Sequence, residues 1–351
     1  MTTADPAPAC SVTGAAPSAA GPFGGVRLEV VEDDRTLWRL DLGSQFLRHH
    51  VLDDGVLFGS LRGGPIFAID AATCRELWNA PQIFPAIRLA TDDDALFTVE
   101  EVSVAAIGRD DGRQRWRHLL EVPDGSAIQA PDIVVGDGVV VVPVGGSAAR
   151  LDGFDAGDGA PRFSIDLGAD LTVTGVAVGD GSVAATAGDR VLLVDATSGA
   201  LLWTAEPGFA PTGAPATAEG LVVAADGTRV AAIEDGRVAW MVDHGAPGLL
   251  GPPTLAGRDR VLVLGADGLL RTVGPTGVEP TPVAFPACCT SPRLDDGFVV
   301  VDRGGTTTGF DLEGRELWSV RTGADAAGRF ARVAVEGDRI AVLAWSTPDA
   351  R

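Results

Sequence analysis

The chain has 351 residues, 46% of them apolar, with 46 Gly, 23 Pro and a formal net charge of −21. A field of that sign repels nucleic acid and anionic membrane surfaces, and no run approaches the roughly 18 apolar residues that a membrane-spanning helix needs. There is no Lys, no Tyr and a single Asn, Asn79, which excludes a Schiff-base lysine, a tyrosine general acid and an asparagine-rich ligand shell.

Residues 1–23 are rich in Ala, Pro, Ser and Thr and carry no basic start followed by an apolar run, so they read as a disordered tail and not as a secretory signal. Pro8-Ala9-Cys10 matches only the last residues of a lipoprotein signal. From Gly25 to Leu40 come two strand-like runs, the second passing through Trp38. The clearest unit follows. Phe46–Leu52 is a first strand, Asp53-Asp54-Gly55 turns, Val56–Ser60 is a second, and Arg62-Gly63-Gly64 turns again. Pro65–Asp70 is the third strand, Ala72-Thr73-Cys74 the next turn, and Glu76-Leu77-Trp78 the fourth. The same ending recurs at Trp116, Phe163, Trp203 and Trp240, in a Trp-less copy near Val278, and at Trp318. Trp38 and Trp318 stand 280 residues apart, seven steps of 40. Asp70, Asp155 and Asp195 each precede the aromatic of their own unit by eight residues. Such an Asp accepts backbone N–H groups of its turn and leaves the ring to cover the next unit.

First strands are predicted near Phe46, Pro85, Gln129, Leu171, Gly213, Pro252, Cys288 and Phe330. Second strands are predicted near Gly55, Ala95, Gly138, Ser182, Leu221, Val261, Phe298 and Ile340. The last unit, residues 329–345, supplies only two strands, and Gly25 to Leu40 supplies the two it lacks. The expected fold is all-β. It is a single eight-bladed β-propeller of four-stranded antiparallel blades over residues 24–345, closed by a blade shared between the N- and C-termini, with a tail at 346–351. Trp38, Trp78, Trp116, Trp203, Trp240 and Trp318 are its structural docking residues.

The spacing Ala68-x-Asp70-x-x-Thr73-Cys74-x-x-x-Trp78 resembles the tryptophan-docking repeat of the pyrroloquinoline-quinone-like propellers, which reads Ala-x-Asp-x-x-Thr-Gly-x-x-x-Trp. Val191 to Trp203 is a second close copy and Gly309 to Trp318 a third, one residue shorter; Cys74 replaces the turn glycine of the family. The resemblance implies the propeller and raises the family's quinone and calcium chemistry, whose metal is held by Glu, Asn and Asp. Asn79 follows a docking Trp, away from the channel, so no cofactor and no metal are expected and a quinone-dependent dehydrogenase is not. In those dehydrogenases an adjacent-cysteine disulfide lies beside the quinone. Cys288-Cys289 is the matching pair here, read as free thiols. The four cysteines do not make a disulfide framework.

Candidate site residues are few. Neighbouring residues on a strand face opposite ways, so of His49 and His50 one ring faces the channel. His49, with His244 in a turn, is the weak catalytic candidate. One column of first-strand positions holds His49, Arg88, Asp132, Gly175, Ala214, Thr254, Ser291 and Val333. From it Arg88, Asp132, Thr254 and Ser291 are the ligand-binding candidates. The reading is a monomeric, non-catalytic binding or scaffold module for a protein partner or a small molecule at the channel mouth, similar in size to bacterial outer-membrane assembly scaffolds. An enzyme of lyase or cyclase type acting on a small organic substrate, and a ligand-sensing module, are the alternatives. A cytoplasmic location is expected, or export if the true start lies upstream.

Overall fold

The computed structural model describes residues 9–13, 26–32, 35–43, 47–62, 64–81, 88–100, 102–121, 126–128, 133–169, 171–279, 283–285, 293–295, 298–303, 306–321, 332–336 and 339–345. Among these there is no helix, and the strands form eight sheets, most of them four-stranded and antiparallel, in a β-propeller-type fold. Sheet two runs Leu47–Asp53, Val56–Leu61, Ile66–Asp70, Glu76–Ala80, each strand pairing with the next. Sheets three to eight repeat this order, with a fifth strand in sheets four and seven. Sheet one is composite: Val26–Glu32 pairs on one side with Arg35–Gly43 and on the other with Arg339–Trp345, which pairs in turn with Arg332–Glu336.

Second strands are buried along their whole length, as in Ala95–Val99, Ser182–Ala187 and Leu221–Ala225. A strand covered on both faces by neighbouring sheets has no solvent side, so its sequence is a continuous apolar run. Fourth strands such as Gln114–Leu119 mix exposed and buried positions because they form the outer rim. The core is divided among the inter-sheet spaces. Leu28, Val30 and Trp38 of sheet one pack on Leu57, Phe67 and Ile69 of sheet two, and further clusters follow between successive sheets to Leu264 and Val299 of sheets seven and eight. First strands are neighbours in order: residues 332–336 against 47–53, then 88–91, 134–136, 173–179, 216–218 and 254–255.

Second strands begin within a residue of the predicted positions. First strands begin later, at Leu47, Arg88, Val173, Ala216, Thr254, Arg293 and Arg332, except in sheet four, where Ser126–Ile128 pairs with the second strand ahead of Val134–Gly136. In sheets six and seven the ladder is interrupted at a proline: the N–H groups of Thr212 and Leu250 donate to Ala225 O at 2.8 Å and Leu264 O at 2.9 Å, and Pro215 and Pro253, with no N–H to give, separate these bonds from the regular strands that follow.

The tryptophans of sheets one, two and three each serve the following sheet. The indole N–H of Trp38 donates to Ala71 O at 2.8 Å, that of Trp78 to Arg109 O at 2.6 Å and that of Trp116 to Ala156 O at 2.9 Å. The acceptor follows the turn-opening residue, so the turn itself is the docking platform. Asp155 holds that turn by accepting from the N–H groups of Gly157 at 2.8 Å and Asp158 at 3.2 Å. Gly159 closes it at φ 75, and a Cβ there would collide with the Trp116 ring. Glycine is therefore required both for the left-handed backbone and for the ring's approach. Phe163 covers Gly199 in the same manner, while Trp203 and Trp240 are partly buried against sheets six and seven. Trp318 is half-buried over Gly309 of its own sheet.

One expectation is corrected. The tail reading of residues 1–23 fails at residues 9–13: Ala9–Cys10 pairs in parallel with Arg39 and Leu40, Val12 is buried, and Cys10 is disulfide-bonded to Cys74. Apolar Val12 and a covalent partner outweigh the low-complexity composition around them. Cys288 and Cys289 lie outside the described residues.

Candidate functional site

The structure places the sequence candidates on several sheets. His49 and Arg88 are half-buried on the neighbouring first strands of sheets two and three, and Thr254 is half-buried at the start of sheet seven. Asp132 and Ser291 lie outside the described residues. At one point the varied column has a packing cause: a Cβ on Gly175 would collide with the backbone of Ala214, where sheets five and six meet. Thr186 Oγ1 donates to Gly213 O across the same junction at 3.0 Å. Among the described residues no three His, Cys, Asp or Glu side chains converge as a metal site.

His244 is a turn lock. It is 1% exposed; Ala246 N–H donates to its Nδ1 at 3.1 Å, which leaves the proton on Nε2 to reach Asp226 O at 3.3 Å. Burial lowers its pKa, against the Asp226 carbonyl, which favours the charged ring. Arg162 and the Gly157 and Asp158 N–H groups hold the Asp155 carboxyl below the usual range against the opposing effect of burial. Burial pushes Asp70 and Asp226 up, yet the hydrogen bonds of Thr73 and Ala72 on the first, and of Thr228 and Arg229 on the second, bring both below it.

The pH dependence follows from these directions. A lowered folded pKa means that the unfolded chain binds the proton more readily, so each group's contribution is complete above its unfolded value and is lost as pH falls below it. Tm is expected to be flat above about pH 7, to decline gently below about 6.5 through His244, and to fall steeply below about 4 through the turn aspartates. Thermal melts of His244→Asn, which keeps a side-chain acceptor for the Ala246 N–H, should lose a share of the gentle decline and none of the steep fall. An unchanged profile in the variant would remove His244 from the account.

A groove of about 640 Å³ opens on the outer rim between Gln114–Leu119 of sheet three and the strands Ala149–Asp155 and Pro161–Gly168 of sheet four. One wall is apolar. The His118 ring packs at a tilt of 48° against Phe154, 4.7 Å between ring centres, and Phe163 and Pro161 continue the surface. At the polar wall Asp152 is 7% exposed and accepts from Arg150 Nε at 2.9 Å on both oxygens and from Ser164 Oγ at 2.7 Å. Arg150 also donates to the Glu121 carbonyl, which fixes the groove's end. A buried carboxylate paired and bonded in this way is a rigid fixture. Beside the groove, Leu119 is 66% exposed and Val102 41% exposed.

Sequence reasoning missed these arginines. Arg109 is buried between sheets two and three, bonded to the side chain and carbonyl of Asp53, and its guanidinium lies 5.4 Å from the Phe58 ring. It occupies the position held by Ala71, Ala156 and Ala196 in neighbouring units, and that departure from the repeat was the available signal. Arg117 pairs with buried Glu100 and donates to Ser103 Oγ at 2.9 Å.

Sheets of this order, with Trp38, Trp78 and Trp116 docked on the next turn, define a β-propeller of the pyrroloquinoline-quinone-like repeat class. The chain belongs to the PQQ_2 family, described as outer membrane protein assembly factor BamB, whose profile matches residues 24–172, 147–279 and 234–346. Solved structures share the fold at low identity. BamB from Moraxella catarrhalis has a TM-score of 0.59 at 15% identity, covering 93% of this chain and 95% of that one. The computationally designed Ika8 protein has a TM-score of 0.64 at 16% identity, with 86% and 96% covered. Quinohemoprotein alcohol dehydrogenase ADHIIG from Pseudomonas putida HK5 has a TM-score of 0.52 at 13% identity, with 85% and 69% covered. No curated protein matches the sequence.

Proposed function

We propose that the chain is a non-catalytic binding module, an eight-bladed propeller closed through the sheet its two ends share, which receives an extended cationic segment of a protein partner on its rim. The observation that carries this reading is the groove between sheets three and four, with a rigid polar wall, an apolar wall and the exposed side chains of Leu119 and Val102 at its edge. Apolar residues clustered beside a concave rim are where a partner gains most from burial. A net charge of −21 selects the sign of that partner, since it accelerates the approach of cations and repels anions. The family's description as an outer membrane protein assembly factor points to the same class of work. Among the described residues no helix is long and apolar enough to cross a membrane.

The test uses three fluorescent peptides of one alternating apolar pattern, cationic, neutral and anionic, titrated by anisotropy. The cationic peptide is expected to bind at least roughly tenfold more tightly than the anionic one and to weaken with added salt. Leu119→Ser, which removes the apolar contact without changing charge, should reduce its affinity about tenfold, with the exposed position leaving Tm nearly unchanged. Binding that survives Leu119→Ser but is lost in Arg88→Ala would move the site to the channel mouth.

A further inference from the structure

We propose that Cys10 and Cys74 form a redox-governed clasp that straps the N-terminal segment across sheets one and two, and that the protein matures in an oxidising compartment. Cys74 stands at φ 60 in the turn that Trp38 covers, where the next three units have Gly112, Gly159 and Gly199. A side chain in that backbone region is strained, so the turn accepts a penalty that glycine avoids. Its bond to Cys10 gives that residue a purpose the repeat does not supply.

The strap is also docked by contacts of its own. Ala9–Cys10 adds a parallel strand to the outer edge of sheet one, beside Arg35–Gly43. Val12 joins the cluster of Trp38, Leu40 and Leu42. The N–H of Thr13 donates to Glu76 Oε2 at 2.6 Å, and Asn79 Nδ2 donates to Thr13 O at 3.4 Å. One short segment therefore covers a sheet edge and ties it to the fourth strand of the next sheet. Uncovering that edge would expose unpaired N–H and C=O groups to another strand.

The switching step is thiol–disulfide exchange with a dithiol reductant. The Sγ–Sγ bond breaks, both sulfurs take up an electron and a proton, and the reductant closes its own disulfide. Formation is the reverse, with a disulfide donor of the compartment taking the two electrons. Structural disulfides persist where the surroundings are oxidising, which favours export over the cytoplasm, the two locations expected from the sequence.

The experiment uses the full chain with Cys288→Ser and Cys289→Ser, so that only this pair can react. Thiols are alkylated in intact cells of the native host before lysis, and the digest is mapped by mass spectrometry without reduction. The linked pair of Cys10 and Cys74 peptides is expected; both cysteines recovered as alkylated thiols would overturn the proposal. Thermolysin cleavage before Val12 is then timed with and without dithiothreitol. Reduction should speed it about tenfold or more and lower Tm by roughly 5–10 °C. Cys74→Gly, which restores the turn glycine and so folds readily, should release the strap as fully as reduction does while losing less Tm than Cys74→Ser. A strap equally protected in reduced protein, or in Cys74→Gly, would show that the disulfide governs nothing.

Discussion

Removing residues 332–351 should abolish cooperative folding. Sheet one then loses Arg332–Glu336 and Arg339–Trp345, and Val26–Glu32 loses all seven partners on one of its two sides, from Val26↔Trp345 to Glu32↔Arg339. Leu28 and Val30, fully buried in the intact chain, would face an uncovered edge. An open apolar edge invites pairing with other chains, and a repeat array without its terminal cap loses the neighbour on which its last unit depends. The truncated chain is expected in aggregates, or as a soluble species that melts without a sharp transition. Deleting residues 1–8 is the control and should leave the melt unchanged.

The second large effect is expected at Trp116. The ring is buried between sheets three and four, lies against Gly159, and gives its N–H to Ala156. Trp116→Ala should cost about 3–5 kcal/mol, because the platform is backbone and cannot collapse into the cavity. Trp116→Phe retains most of the ring but orphans the Ala156 carbonyl, for a loss of about 1–2 kcal/mol. Urea unfolding distinguishes the two terms: the midpoint should fall in the order wild type, Phe, Ala at a common slope. Equal losses would mean that the hydrogen bond, and not packing, fixes the blade contact.

Much of this fold was legible because the repeat is written in residues with one physical use each. Aspartate opens a turn by accepting its N–H groups, glycine closes it with positive φ, and tryptophan docks on the result. Second strands were legible because burial on both faces leaves a continuous apolar run. First strands were harder to delimit, since Pro215 and Pro253 interrupt ladders that have already begun at Thr212 and Leu250. The ordered strap was hidden by composition, as one valine and one cysteine among small residues carry no periodic signal. Cys74 did carry one, as the exception in a glycine position, and its meaning lay 64 residues away at Cys10.

The candidate site was much less legible than the fold. The rim groove depends on Arg150, Asp152 and Ser164, which meet across two strands of one sheet, against His118 and Leu119 of another. None of these stands out in a sequence with 48 acidic residues. The first-strand column drew notice through its variety, yet Gly175 shows that part of that variety answers to packing against Ala214.

Hydrogen–deuterium exchange of the full chain with and without the bound cationic peptide tests the central claim most directly, because it locates a partner without presuming a site. Protection confined to residues 114–121 and 149–166 is the result expected of a rim-binding module. Protection confined to residues 47–53 and 88–91, with the rim strands unchanged, would contradict it and return the binding site to the inner strands around His49 and Arg88.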